Sequence, residues 1–207
     1  MIKQTFFLLL IIVPASVPMK VHAYRYKSIS RFALSFDPLG FAQFGPIVHA
    51  ELGVKRNLAL NVHVRYPTLG LLSRKMADDD DGLDDFSADA FGVGLIYFAG
   101  RFNTKLYVGI LADFQKSQAL YAEGEYWEWS QDNNTRIFIF NIGLRFLSNE
   151  GFFVNTGLYL GFAQNQYEWE YTNRGPESYG STDYEDREGL EVYPVAMFEL
   201  AFGLGIF

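Results

Sequence analysis

The chain has 207 residues, no cysteine and a formal net charge of −7. Without cysteine, no disulfide framework, thiolate metal site or thiol nucleophile is available. The acidic balance excludes nucleic acid as a partner, because phosphate binding needs clustered Lys and Arg. The length suits one domain with a full core, or one small barrel with long loops.

Residues 1–23, MIKQTFFLLLIIVPASVPMKVHA, hold Lys3, an apolar run from Phe6 to Val13, a proline break, and Val21 and Ala23 at the end. That run falls well short of the roughly 20 apolar residues that a spanning helix needs. Residues 1–23 are therefore expected to be a signal peptide removed after Ala23, with Ala15 as a second cleavage position, and residues 24–207 the mature domain.

Eight segments with a period of two follow: residues 29–37, 46–55, 58–66, 88–98, 104–115, 136–147, 152–170 and 191–207. Strict alternation reads as strands with one apolar face. In chain order that face holds Phe32, Leu34 and Phe36, then Val48, Leu52 and Val54, then Leu58, Leu60, Val62, Val64 and Tyr66. It continues through Phe91 to Tyr97, Leu106 to Phe114, Phe138 to Phe146, Phe152 to Phe162, and Phe198 to Ile206.

The opposite parity is rich in glycine, including Gly92, Gly94, Gly109, Gly143, Gly157, Gly161 and Gly203, and holds scattered polar side chains. Glycine weakens strands, so a water-facing sheet surface would favour Lys, Thr and Glu instead. Small residues are suited to the narrow interior of an eight-stranded barrel. The glycine face is thus expected inside and the Phe/Leu/Val face outside in lipid. The expected fold is all-β, a closed eight-stranded antiparallel transmembrane β-barrel, since no unpaired edge can sit in hydrocarbon.

The connections alternate in length. Those at 55–57, 99–102 and 149–151 are tight, whereas 67–87, 116–135 and 171–190 are long and acidic. Short periplasmic turns and long extracellular loops are the pattern of transmembrane barrels. Aromatic girdles are expected at Tyr97, Phe102, Phe146 and Phe152 on the turn side, and at Phe36, Tyr66, Phe114 and Phe138 on the loop side.

This architecture, with the terminal strand AMFELAFGLGIF ending in Phe207, resembles the small outer-membrane β-barrel proteins of Gram-negative bacteria, of the OmpA-barrel, OmpX and OmpW kind. In that family the terminal aromatic usually shares parity with the lipid-facing residues, whereas here Ile206 does and Phe207 does not. The resemblance implies export, barrel insertion in the outer membrane and exposed loops. It says little about activity.

Ten polar residues carry interior parity: His49, Glu51, Asn61, His63, Arg65, Asp113, Asn141, Arg145, Asn155 and Glu199. A three-residue loop at Lys55, Arg56 and Asn57 would set Val54 against Leu58, Glu51 against Asn61 and His49 against His63, with Glu51 diagonal to His63. A hydrogen-bonded, ion-paired plug is the expected role, because buried polar groups need partners. Two imidazoles and a carboxylate could bind zinc, but no third mature histidine exists and Arg65 would oppose a cation, so no metal and no cofactor are expected.

The run DDDDGLDD lacks EF-hand spacing, which would need an acid at Ala77 and a glutamate at Ala88. It reads as a solvated loop able to bridge loosely, through divalent cations, to lipopolysaccharide phosphates. Tyr167, Trp169 and Tyr171 alternate with Glu168 and Glu170, and with Tyr126, Trp127 and Trp129 they suit cross-strand pairing in a protruding hairpin or surface contacts with sugars and lipid headgroups. The expected protein is a monomeric, non-enzymatic, porin-like barrel of the cell envelope, with outer-membrane lipid and lipopolysaccharide as partners. Its role would be envelope structure, adhesion or shielding. An OmpW-like conduit for small hydrophobic molecules is the alternative, and a lipid-modifying enzyme ranks below both.

Overall fold

The computed structural model describes residues 31–77, 83–99, 104–123, 127–173 and 187–206. Residues 1–30, which include the expected signal peptide, together with Phe102, Tyr126, Phe207 and the acidic runs at 78–82 and 174–186, lie outside those residues. The described chain is all-β apart from short turns of helix. Its strands are β1 (Phe32–Asp37), β2 (Ile47–Lys55), β3 (Leu58–Arg65), β4 (Leu83–Ala99), β5 (Thr104–Glu123), β6 (Trp127–Leu147), β7 (Phe152–Asn173) and β8 (Arg187–Ile206). Every strand pairs antiparallel with its chain neighbours. β1 also pairs with β8, setting Phe32 opposite Ile206 and Phe36 opposite Phe202, so one sheet closes on itself as a ring.

Alternation decides the faces because successive side chains of a strand point to opposite sides. Phe32, Leu34 and Phe36 on β1, Leu60, Val62 and Val64 on β3, and Phe138, Phe140, Ile142 and Leu144 on β6 all point outward and are exposed. Inward glycines make room for large neighbours. A methyl group at Gly92 would run into the His63 ring, at Gly143 into the Tyr107 hydroxyl, and at Gly203 into the Phe153 ring. β8 keeps one register as far as Ile206, which points outward and is exposed.

Two expectations need correction. First, the β2–β3 hairpin closes tighter than a three-residue loop: Lys55 lies opposite Leu58, and a bulge at Val54 takes up the extra residue. Val54 therefore does not face Leu58. The bulge lies below the paired stretch, so His49 still faces His63 and Glu51 still faces Asn61. Second, residues 116–123 and 127–135 are strand and not loop, as are 83–87, 171–173 and 187–190. β5 continues to Glu123 and β6 begins at Trp127. Their outward residues Lys116, Gln118, Asp132 and Asn134 are polar, so the apolar alternation that marks a strand is absent although the pairing continues.

The ring is uneven. β1, β2 and β3 have 6, 9 and 8 residues, whereas β4 to β8 have 17 to 22. Above the short strands the wall is made by a 3₁₀ turn at Pro38–Ala42, a second at Pro67–Leu69, and helix α1 at Leu71–Ala77. Side chains of this cap replace missing strands. The Gln43 amide donates to Phe198 O and accepts from Phe198 N on the edge of β8, and the Thr68 hydroxyl does the same for Ala88 on β4. Further up the same edge of β8 stands Pro194, which has no N–H to leave unpaired.

Gly45 sits at the bend of the cap with φ +105°, in a region that glycine occupies freely and other residues avoid. A Cβ there would also meet the carbonyl group of Tyr66. Gly45→Ala should therefore destabilise the folded protein by about 1–3 kcal/mol or more, measured by urea unfolding of the refolded chain. An unchanged midpoint would show that the cap adjusts freely.

Candidate functional site

All ten polar residues singled out above are buried inside the ring. They form two networks. In the lower one Arg145 of β6 reaches across the interior to Glu51 of β2, with Nη1 2.8 Å from Oε2 and Nη2 2.6 Å from Oε1. Its Nε donates to Asn155 at 2.8 Å. The guanidinium carbon lies 4.6 Å from the centre of the Phe98 ring and 4.0 Å from that of Phe153. A bidentate charged pair with aromatic neighbours is the arrangement that suits arginine and not lysine. Asn155 and Asn141 each donate to Glu199 at 3.1 Å, and the Tyr107 hydroxyl completes its shell.

The upper network gathers around Arg65. Its Nε donates to Asp113 at 3.0 Å, Nη2 to Gln115 at 3.0 Å and Nη1 to the carbonyl of Phe44 at 2.9 Å, which ties the cap to the interior. Asn61 bridges the histidines, with its amide 3.4 Å from His49 Nδ1 and its carbonyl oxygen 3.2 Å from His63 Nδ1. His63 Nε2 stands 3.7 Å from Asp113, too far for a hydrogen bond. The two imidazole centres are 5.4 Å apart.

These contacts redraw the expected grouping. Glu51 belongs to Arg145 on the far wall, and the acid beside His63 is Asp113, brought in by β5. Among the described residues, no three His, Asp or Glu side chains converge on one point. Four buried side-chain atoms have no hydrogen-bond partner among the described residues: His49 Nε2, Asp113 Oδ1 and Asn141 Oδ1 in these networks, and Ser148 Oγ near the β6–β7 turn.

The interior is also less uniformly polar than its glycines and charges suggested. Leu111, Ile137, Ile139, Tyr159, Ala163, Val195 and Met197 form an apolar cluster on the β5–β8 side, and Phe44 from the cap packs against it. Sequence reading missed Tyr107, whose hydroxyl lies in the space left by Gly143 and Gly157, and Tyr159, buried on β7. It also missed Ser35, opposite His49 in the register, and Lys105 and Thr135, all buried. Asp37, followed by proline in a turn signal, accepts from Leu39 N and Leu200 N and so ties β1 to β8.

The aromatic stretches continue β6 and β7 as paired strands. Tyr167 and Trp169 have the interior parity of β7 and are half-buried, with Trp169 5.8 Å from Tyr121, while Glu168 and Glu170 face outward. Trp127 and Trp129 lie in β6, opposite Asn173 and Tyr171 of β7. A polar cleft of about 340 Å³ opens on the outside of β4–β6, bounded by Asp89, Lys116, Gln118 and Asp132, just beyond the stacked pair Phe91 and Phe114.

Comparison with protein-family models, with curated proteins and with solved structures finds no match for this chain. Its chemistry therefore rests on the geometry above. Among the described residues, His49, His63 and Ser35 are all enclosed.

Removing one partner of a buried ion pair strands the other charge. Glu51→Ala or Arg145→Ala should each cost about 3–5 kcal/mol. The double variant Glu51→Ala/Arg145→Ala should cost clearly less than the sum, in urea unfolding of the refolded protein. Strict additivity would mean that the two groups do not interact.

Proposed function

We propose that the chain is an integral outer-membrane β-barrel: a non-enzymatic scaffold with a filled interior that holds an acidic, aromatic-rich extension of β4–β8 at the cell exterior. The observation that carries this reading is the outer face of the ring. From Phe152 to Phe162 on β7 the outward residues make an apolar band that, at about 3.4 Å per residue and a tilt of about 40°, stands roughly 25 Å tall. Aromatics mark its upper limit, with Phe91 stacked on Phe114 and Phe138 beside Phe162, both at 5.4 Å. Charged and amide side chains, Asp89, Lys116, Arg136 and Gln164, follow at once. A water-soluble ring would invert this arrangement and keep its apolar residues inside.

The filled interior argues for structure, adhesion or shielding over conduction. Arg145 and Glu51 cross it, and Tyr107, Asn141, Asn155 and Glu199 occupy the rest of that level. Lys116 and Arg136, at the limit of the band, suit the phosphates of lipopolysaccharide. Val62→Arg and Ile142→Arg should each lower the stability of the barrel folded into lipid vesicles by about 2–4 kcal/mol if they sit near the midplane. Normal folding of both variants would reverse the assignment of faces.

A second reading, a binding chamber for small apolar molecules, is favoured by the cluster of Leu111, Ile137, Ile139, Val195 and Met197 under Phe44. The polar network beneath it would close such a chamber on the turn side. Phe44→Ala should then open an apolar cavity and increase the fluorescence of an apolar dye bound by the refolded protein. No increase would remove this reading and leave the scaffold.

A further inference from the structure

The short strands leave a gap in the apolar band. On β1 the outward residues from Phe32 to Phe36 cover only about 10 Å by the same geometry that gives β7 roughly 25 Å. The wall above them is the cap of 3₁₀ turns and α1, and its outward side chains are apolar. Phe41, Leu69, Leu71 and Leu72 are all exposed, and Leu71, at 68%, equals Ile206 on the band itself. Phe41 continues from the strand directly, with its ring edge-on to Phe36 at 6.3 Å. Arg74 and Lys75, both exposed, end the helix.

We propose that the cap lies in the outer leaflet of the membrane, with Phe41, Leu69, Leu71 and Leu72 among acyl chains and Arg74 and Lys75 on lipid phosphates. This inference rests on the barrel reading above, and names a lipid-contacting surface that is not made of strands. Two further features support it. Non-helical backbone at membrane depth is tolerated only where protein covers it; here the cap is buried at Gly40, Gly45, Pro67 and Gly70, and Gly45 N donates to Gly40 O, Leu72 N to Gln43 O and Arg74 N to Gly70 O. The cap also covers strand edges, with Gln43 on Phe198 and Thr68 on Ala88. Two adjacent cations beside an apolar patch match an anionic leaflet surface, whereas a two-fold contact between copies would set the same cations against each other.

Because the chain has no cysteine, single cysteines at Leu71, Leu69, Ile142 and Asp132 can each carry an environment-sensitive fluorophore. The labelled proteins are refolded into phosphatidylcholine vesicles containing lipids brominated either near the headgroup or deep in the chain. The expected result is quenching at Ile142 by the deep bromines, at Leu71 and Leu69 more by shallow than by deep bromines, and at Asp132 by neither. Quenching at Ile142 without quenching at Leu71 and Leu69 would overturn the inference and leave the barrel reading standing. No quenching at any position would overturn both. Quenching at Leu71 that disappears as protein is concentrated in the vesicles, with disulfide crosslinking of Leu71→Cys to itself, would assign the patch to a second copy and also overturn it.

Discussion

The guanidinium of Arg145 holds opposite walls of the ring together. It takes both carboxylate oxygens of Glu51 across the interior, binds Asn155 beside it, and lies over the rings of Phe98 and Phe153. A buried arginine costs several kcal/mol unless its donors are met, so this position dictates its surroundings. Glu51 must come from β2, which fixes how far β2 and β6 stand apart. Asn155 must accept from Arg145 and donate to Glu199, and Glu199 then takes Tyr107 and Asn141. Glycine follows from the same constraint. Gly143 and Gly157 border the Tyr107 hydroxyl and leave it the space that a side chain would fill.

The cap depends on a second such anchor. Arg65 binds Asp113 and Gln115 on β5 and the Phe44 carbonyl, so one guanidinium joins β3, β5 and the non-strand wall. The Phe44 ring meanwhile rests on the apolar cluster of β5–β8. Polar and apolar halves of the interior thus meet under the cap. The two arginines thus act differently: Arg145 bridges the bore that strand number and stagger set, and Arg65 seats the segment that completes the wall.

Much of this was legible in the sequence because a period of two separates inside from outside residue by residue. Val62 and His63 need no further information to be placed on opposite faces. What alternation cannot say is which inward residues meet across the ring, since that depends on curvature and stagger. Glu51 was accordingly grouped with the histidines on its own hairpin and not with Arg145 on the far wall. The upper parts of β5 and β6 were illegible for another reason. Outward Lys116, Gln118, Asp132 and Asn134 are polar there, and so are inward Gln115, Ser117, Gln131 and Asn133, so no apolar period remains to be read. Tyr107 is hidden because a bulky aromatic is unexpected on a glycine face, although Gly143 and Gly157 are what make room for it.

Unequal strand length has one more consequence. Where β8 rises past the end of β1, its amides turn toward the cap, and Gln43 and Asp37 occupy those of Phe198 and Leu200. Pro194, two turns of the pleat further on, breaks the ladder that an incoming strand would have to read, because it has no hydrogen to donate. A growing sheet from another molecule would find an interrupted template there, while β1, lower down, finds an unbroken one in Phe202 to Ile206. Closure onto its own first strand is thus favoured over recruitment of a neighbour, and the seam of the ring protects the chain against aggregation while it assembles.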